Sequence, residues 1–209
     1  MTTEQTMPGH LFVLIGPGGA GKNTLIDIVT EELPNLRKLI TATTRDQRAG
    51  EVDGVNYHFL TPAEFKVMIV KGELLEYQEV TRGKYYGIPR ASVENSLGAG
   101  LDLVGDIEVK GARILRQTYP QNVTLIFITV PGETEDAVVE TLRQRMIARD
   151  DKPDVIAQRL ERAKTLELPF QAECAYTIVN DDRQNAAEAL KQIIVSWRQQ
   201  HRAFEEVSS

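Results

Sequence analysis

Five consecutive apolar residues, Leu11 to Ile15, run directly into Gly16-Pro17-Gly18-Gly19-Ala20-Gly21-Lys22. Leu25, Ile26 and Val29 then recur at helical spacing until Pro34, which cannot continue a helix. A buried strand, a glycine loop and a helix in that order form the setting of a phosphate-binding loop. Small residues let successive backbone N–H groups turn inward around a phosphate, the helix N-terminus adds positive partial charge, and Lys22 supplies a point charge for the outer phosphates. Gly16, Pro17, Gly18, Gly19, Ala20, Gly21, Lys22, Asn23 and Thr24 are therefore the candidate nucleotide-phosphate residues. Such loops carry Ser or Thr directly after the lysine, to set a hydroxyl on Mg²⁺. Here Asn23 stands there, with Thr24 one place later. An amide oxygen can ligate Mg²⁺, but its longer planar group does not reproduce the hydroxyl's position.

Short apolar runs then alternate with longer stretches of helical period, as expected of an α/β chain whose parallel sheet is covered by helices on both faces. Core strands are expected at Leu101 to Val109, Val123 to Val130 and Tyr176 to Val179, with crossover helices near Gly111 to Tyr119 and Asn185 to Phe204. In the last helix Leu190, Ile193, Ile194 and Trp197 keep the spacing of a core-facing stripe, so Trp197 reads as packing. With 42% hydrophobic and 26% charged residues over 209 positions, neither a disordered chain nor a fibre fits, and one substantial domain does. Lys and Arg number 24 against 30 Asp and Glu, a net charge of −6, so no global basic field draws nucleic acid and any anion site must be local. No apolar run approaches the roughly 20 residues of a bilayer crossing, and MTTEQTMPGH lacks the pattern of a secretory signal. The single cysteine, Cys174, excludes an internal disulfide, suits a reducing cytoplasm and reads as a small buried hydrophobe.

Two polar, charge-rich segments interrupt the alternation and look like inserted lobes. From Thr41 to about Pro89 come short strand-like pieces around one helix, whose start is marked by Thr61 as N-cap, Pro62 at the first helical position and Glu64 closing a capping box. From Pro131 to about Leu168 lies a helical pair broken by the charged turn Arg149-Asp150-Asp151-Lys152-Pro153. Residues 1–10 and 205–209 are expected as frayed ends of a domain spanning 11–204.

The order GPGGAGKNTL, TATTRDQRAGEVDGVNYHF, ELLEY, YYG, GDIEVKGA, RQRMIAR and IVNDD resembles the guanylate kinase family across residues 11 to about 195. The resemblance implies MgATP-dependent phosphorylation of GMP to GDP on a P-loop NTPase core of three α/β/α layers. That core would span 11–40, 90–130 and 169–204, with a nucleotide-monophosphate lobe at 41–89 and a helical lid at 131–168. ATP and GMP would then be the partners, and no nucleic acid polymer or membrane. Arg45, Arg48, Tyr57 and Tyr86 match the family's clamp on the acceptor phosphate, and their guanidinium forks and phenol hydroxyls are the donors a dianion needs. Read without the resemblance, Arg45 and Arg48 are equally well explained as solvated charges pairing with Asp46 and Glu51. Thr41 falls where the family has Ser, and Glu51 belongs to the same GMP-binding group. Tyr85 and His58 read as packing or surface residues.

For the base, Glu76 aligns with a carboxylate that accepts from the guanine N1–H and N2–H₂ donors, which adenine cannot match. Glu108 aligns with a second acidic contact, where the family has Asp. Ile88 replaces the Ser or Thr that follows YYG in the family, and so removes a hydroxyl that helps read the base. Asp106, at a strand end, and Asn23 are the candidate Mg²⁺ residues. Arg145, Arg149 and Arg159 match the lid arginines that, with Lys22 and Arg45, form the catalytic set, neutralising charge on the transferring phosphoryl group. Taken alone, such arginines are more often a solvated face. Asn180 in IVNDD aligns with the ATP loop near adenine. Two other readings stay open at this point: a kinase for a different nucleotide or sugar-phosphate acceptor, motivated by Ile88 and Glu108, and a catalytically weak binding module, motivated by Asn23.

Overall fold

The computed structural model describes residues 7–48, 50–81 and 83–207. The first strand, β1 (Leu11–Ile15), is buried along its whole length, and the loop after it opens α1 (Lys22–Glu32). Next come β2 (Leu36–Lys38), the short β3 (Ala42–Thr43) and β4 (His58–Phe59), α2 (Pro62–Val70), and the hairpin of β5 (Leu74–Thr81) with β6 (Lys84–Pro89). The chain continues through α3 (Arg90–Gly98), β7 (Asp102–Asp106), α4 (Val109–Thr118) and β8 (Val123–Thr129). Helices α5 (Glu135–Ala148) and α6 (Pro153–Arg162) are followed by a π-helical turn at Ala163–Glu167, α7 (Leu168–Phe170) and a 3₁₀ turn at Gln171–Glu173. The last elements are β9 (Tyr176–Val179) and α8 (Arg183–Val207). The core sheet has five strands in the order β2-β7-β1-β8-β9, and β2 with β7 and β8 with β9 pair in parallel. The fold is the expected α/β class with a parallel core sheet.

By its contacts the chain divides into two compact units, and the division falls inside β1 and β8. The first holds the chain up to Val13 and Asn35–Thr124. It carries a second sheet in the order β4-β3-β6-β5, in which β3 and β5 both run antiparallel to β6. Helix α2 starts where the sequence places it. Thr61 Oγ1 accepts from the Glu64 N–H at 3.2 Å, and Glu64 Oε2 accepts from the Thr61 N–H at 2.8 Å, a cap that contributes about 1 kcal/mol. Its Phe65 is buried against Ala42 and Leu74 and fixes the helix on the sheet. The second unit holds Leu14–Pro34 and the chain from Leu125 onward. In it Thr134 caps α5, Asp150 takes a left-handed φ of 60° in the turn, and Pro153 opens α6.

Several boundaries differ from expectation. The strand expected to reach Val109 stops at Asp106, because Glu108 is extended as an N-cap and Val109 already starts α4. Strand β2 and helix α3 carried no clear periodic signal. Gly9 and His10, expected in a frayed tail, are tied down: the Gly9 N–H donates to Leu97 C=O at 2.8 Å, and the His10 N–H donates to Asp102 Oδ1 at 2.8 Å. His10 is buried, and its Nε2 lies 2.8 Å from Thr124 Oγ1. Residues 1–6 of that tail lie outside the described residues. At the other end α8 continues through Val207, three residues into the expected tail, and residues 208–209 lie outside the described residues. Cys174 is half-buried rather than core, with its thiol directed at Phe170 C=O at 3.7 Å. Among the described residues no helix is long and apolar enough to cross a membrane.

Candidate active site

The phosphate loop lies in the second unit. Gly16 has φ 145°, and a Cβ there would run into the Ile128 carbonyl, so only glycine fits where strand turns to loop. Gly21 caps α1 at φ 88°, beside the Asn180 amide nitrogen. The Ala20 N–H donates to Pro17 C=O at 3.1 Å and closes the turn. Lys22 Nζ folds back over the loop, 2.5 Å from Gly16 C=O and 3.2 Å from Pro17 C=O. The ammonium thus sits at the mouth of the backbone cradle, which also includes Gly18 and Gly19. Asn23 and Thr24 are exposed on the first turn of α1.

Asn180, which the resemblance puts near adenine, follows β9. Its side chain is buried, and its amide nitrogen donates to Ala20 C=O at 2.7 Å, so the group braces the phosphate loop. Its own carbonyl accepts from Arg145 Nη2 at 2.7 Å. Arg149 and Arg159 instead meet on one carboxylate: Asp151 Oδ2 lies 3.0 Å from Arg149 Nη2 and 2.7 Å from Arg159 Nη1. The Arg159 stem runs beside Gly18, where a Cβ would be 3.4 Å from its Cδ. Both pairs are solvent-exposed and worth at most about 1 kcal/mol each. Asp151 was not singled out as a site residue. Its signal was the charge reversal within the turn Arg149-Asp150-Asp151-Lys152.

The acceptor residues lie in the first unit. Arg45 is buried to 8% exposure and holds Glu51 with both arms of its fork, Nη2 to Oε1 at 2.7 Å and Nη1 to Oε2 at 2.9 Å. Arg45 Nε donates to the Tyr86 hydroxyl at 3.2 Å, and the guanidinium lies 5.3 Å from the Tyr57 ring centre. Tyr57 meets Tyr86 edge-on at 5.9 Å. Glu51 also accepts from the Arg48 N–H at 2.8 Å. Hydrogen bonding to Arg45 depresses the Glu51 pKa to about 2, and the same bond raises Arg45. Both Glu51 oxygens thus face the Arg45 fork and the Arg48 N–H. Burial raises the Tyr57 pKa, so its hydroxyl keeps its proton for donation. The Arg48 side chain is exposed, and Thr41 is half-buried just before β3.

Cross-strand register builds the base wall. Glu76 on β5 stands opposite Ile88 on β6, and Gln78 stands opposite Tyr86, two residues along on the same face. Glu76 is buried, and its Oε1 accepts no hydrogen bond among the described residues, although Lys110 Nζ lies 3.4 Å away. Burial raises the Glu76 pKa, and the Lys110 charge opposes that rise. Gly111 on α4 packs closely on this wall: a Cβ there would be 2.9 Å from Ile107 Cγ2, 3.2 Å from Ile88 Cδ1 and 3.4 Å from Glu76 Oε2. Glu108 is half-buried at the N-cap of α4, and Asp106 is exposed at the end of β7.

The second unit thus carries a glycine loop with its lysine, and the first a buried arginine set among tyrosines, the groups a phosphotransferase uses. A sequence model of the guanylate kinase family matches residues 9–197. The chain is 43% identical over 196 residues to the guanylate kinase of Synechocystis sp., covering 93% of this chain and 98% of the relative. It is 42% identical over 195 residues to that of Nocardia farcinica, covering 92% and 97%. The crystal structure of guanylate kinase from Anaplasma phagocytophilum matches with a TM-score of 0.71 at 28% identity, covering 91% of this chain and 87% of that one. The chain belongs to the guanylate kinase family, nucleoside monophosphate kinases that phosphorylate GMP to GDP at the expense of ATP.

Proposed function

We propose that this protein transfers the terminal phosphoryl group of ATP to GMP with the following division of labour. An oxygen of the GMP phosphate attacks the γ-phosphorus of ATP, the bond to the β-phosphate oxygen breaks, and ADP leaves with that electron pair. The backbone of residues 16–21 cradles the ATP phosphates, and Lys22 moves from the loop carbonyls onto the outer ones. Arg45, Arg48, Tyr57 and Tyr86 hold the acceptor phosphate, with Glu51 keeping the Arg45 fork in place. Arg149 and Arg159 leave Asp151 to neutralise charge spreading over the equatorial oxygens, while Arg145 and Asn180 brace the loop. No protein nucleophile is needed.

The donor set suits Mg²⁺. Asn23 and Asp106 each offer a hard oxygen donor of the kind Mg²⁺ takes. When bound, the ion would supply charge neutralisation to the triphosphate. A lone cysteine supports a cytoplasmic location.

The observation that carries the acceptor assignment is the buried Glu76 carboxylate, whose Oε1 accepts no hydrogen bond among the described residues and faces only the Lys110 ammonium at 3.4 Å. A buried acceptor of this kind needs a donor, and guanine brings N1–H and N2–H₂ together. Glu76→Gln should lower kcat/KM for GMP by roughly 100-fold, mostly through KM, and shrink the preference for GMP over AMP to near unity. Steady-state kinetics with both acceptors measures this; an unchanged preference would remove Glu76 from base reading.

A further inference from the structure

Glu76 and Lys110 belong to β5 and α4, yet their charged groups lie 3.4 Å apart. Lys110 Nζ also donates to Tyr77 C=O at 3.2 Å. An ammonium has three N–H donors, so beyond the one on Tyr77 C=O it keeps donors for a ligand while its charge faces Glu76. The wall across the sheet offers no polar group at this level, because the register partner of Glu76 is Ile88, itself buried at 3% exposure.

Guanine presents two donors, N1–H and N2–H₂, beside one acceptor, O6, along a single edge. With the donors on the Glu76 carboxylate, O6 falls next to that carboxylate on the side away from the 2-amino group. An acceptor enclosed there without a donor would weaken binding. We propose that Lys110 reads O6 of GMP, so that Glu76 and Lys110 form one anion–cation pair matched to the donor–donor–acceptor edge of guanine. Adenine is rejected at both ends of the pair. Its N1 lone pair faces the carboxylate, and its 6-amino group brings N–H donors to the ammonium. The Lys110 charge also opposes the burial that raises the Glu76 pKa, which helps keep the carboxylate ionised. The proposal rests on Glu76 binding the guanine donors, and it supplies from α4 the donor that Ile88 cannot give from β6.

The test compares GMP with 6-thio-GMP, which keeps N1–H and N2–H₂ but carries a weakly accepting sulfur in place of O6. Lys110→Met should lower kcat/KM for GMP about tenfold or more, chiefly through KM, and for 6-thio-GMP less than about threefold. Equal losses on the two nucleotides would make Lys110 only a counter-ion or a structural residue, and no loss on GMP would remove it from the pocket; either result overturns the proposal. Glu76→Gln in the same assay separates the two failures. If it leaves GMP untouched, the reading of Glu76 is wrong and Lys110 falls with it. If it depresses both nucleotides while Lys110→Met depresses both equally, the role of Lys110 alone is wrong.

Discussion

Lys22→Met is expected to lower kcat/KM for GMP phosphorylation by about 1,000-fold while leaving the fold intact. Lys22 Nζ sits on the carbonyls of Gly16 and Pro17, so the side chain is already held at the loop where the outer phosphates must lie. A charge acting on an anion in a partly enclosed loop is worth several kcal/mol in the transition state, more than removal of a single neutral donor costs. Folding should be spared, because α1 is anchored by Leu25, Ile26 and Val29, which the substitution does not touch. Steady-state rates and a melting curve on the same preparation measure both quantities. A loss of less than tenfold would mean that the loop backbone alone carries the phosphates.

Arg45→Met should be nearly as severe, about 100-fold to 1,000-fold in kcat/KM, with KM for GMP raised and kcat lowered together. Here stability suffers as well. Arg45 is enclosed at 8% exposure, and its loss leaves Glu51 without its fork and Tyr86 without its donor. The pH dependence separates the two effects. The Glu51 pKa is depressed from 4.5 to about 2 in the folded protein, so the pairing is fully present above pH 4.5 and is lost as the pH falls towards 2. Acid titration of the melting temperature should show this loss in the parent protein and little of it in Arg45→Met. Retained acid sensitivity in the variant would assign it to other carboxylates.

The phosphate loop was legible because its chemistry is written contiguously: spacing, glycines and lysine all fall within Gly16 to Lys22. The capping box of α2 was legible for the same reason, since Thr61, Pro62 and Glu64 act within one turn. What escaped depends on long-range register or on competition between partners. The closeness of Lys110 to Glu76 follows from how α4 lies on the β5–β6 hairpin, and no local pattern encodes it. The bidentate pairing of Glu51 with Arg45 likewise depends on how the turn between β3 and β4 folds back. The Asn180 side chain reaches Ala20 C=O across 160 positions of sequence, a contact no local pattern encodes. His10 reads as part of a polar tail, and only the fold reveals Asp102 and Thr124 waiting to pair with it.

The most direct test is a coupled assay of ADP release with MgATP and, in turn, GMP, dGMP, AMP, UMP and CMP. Turnover with GMP, at a kcat/KM roughly 100-fold or more above that for AMP, is expected from a buried carboxylate matched to guanine donors. Binding of ATP with no ADP release on any acceptor, or release at least as fast with AMP as with GMP, would contradict it.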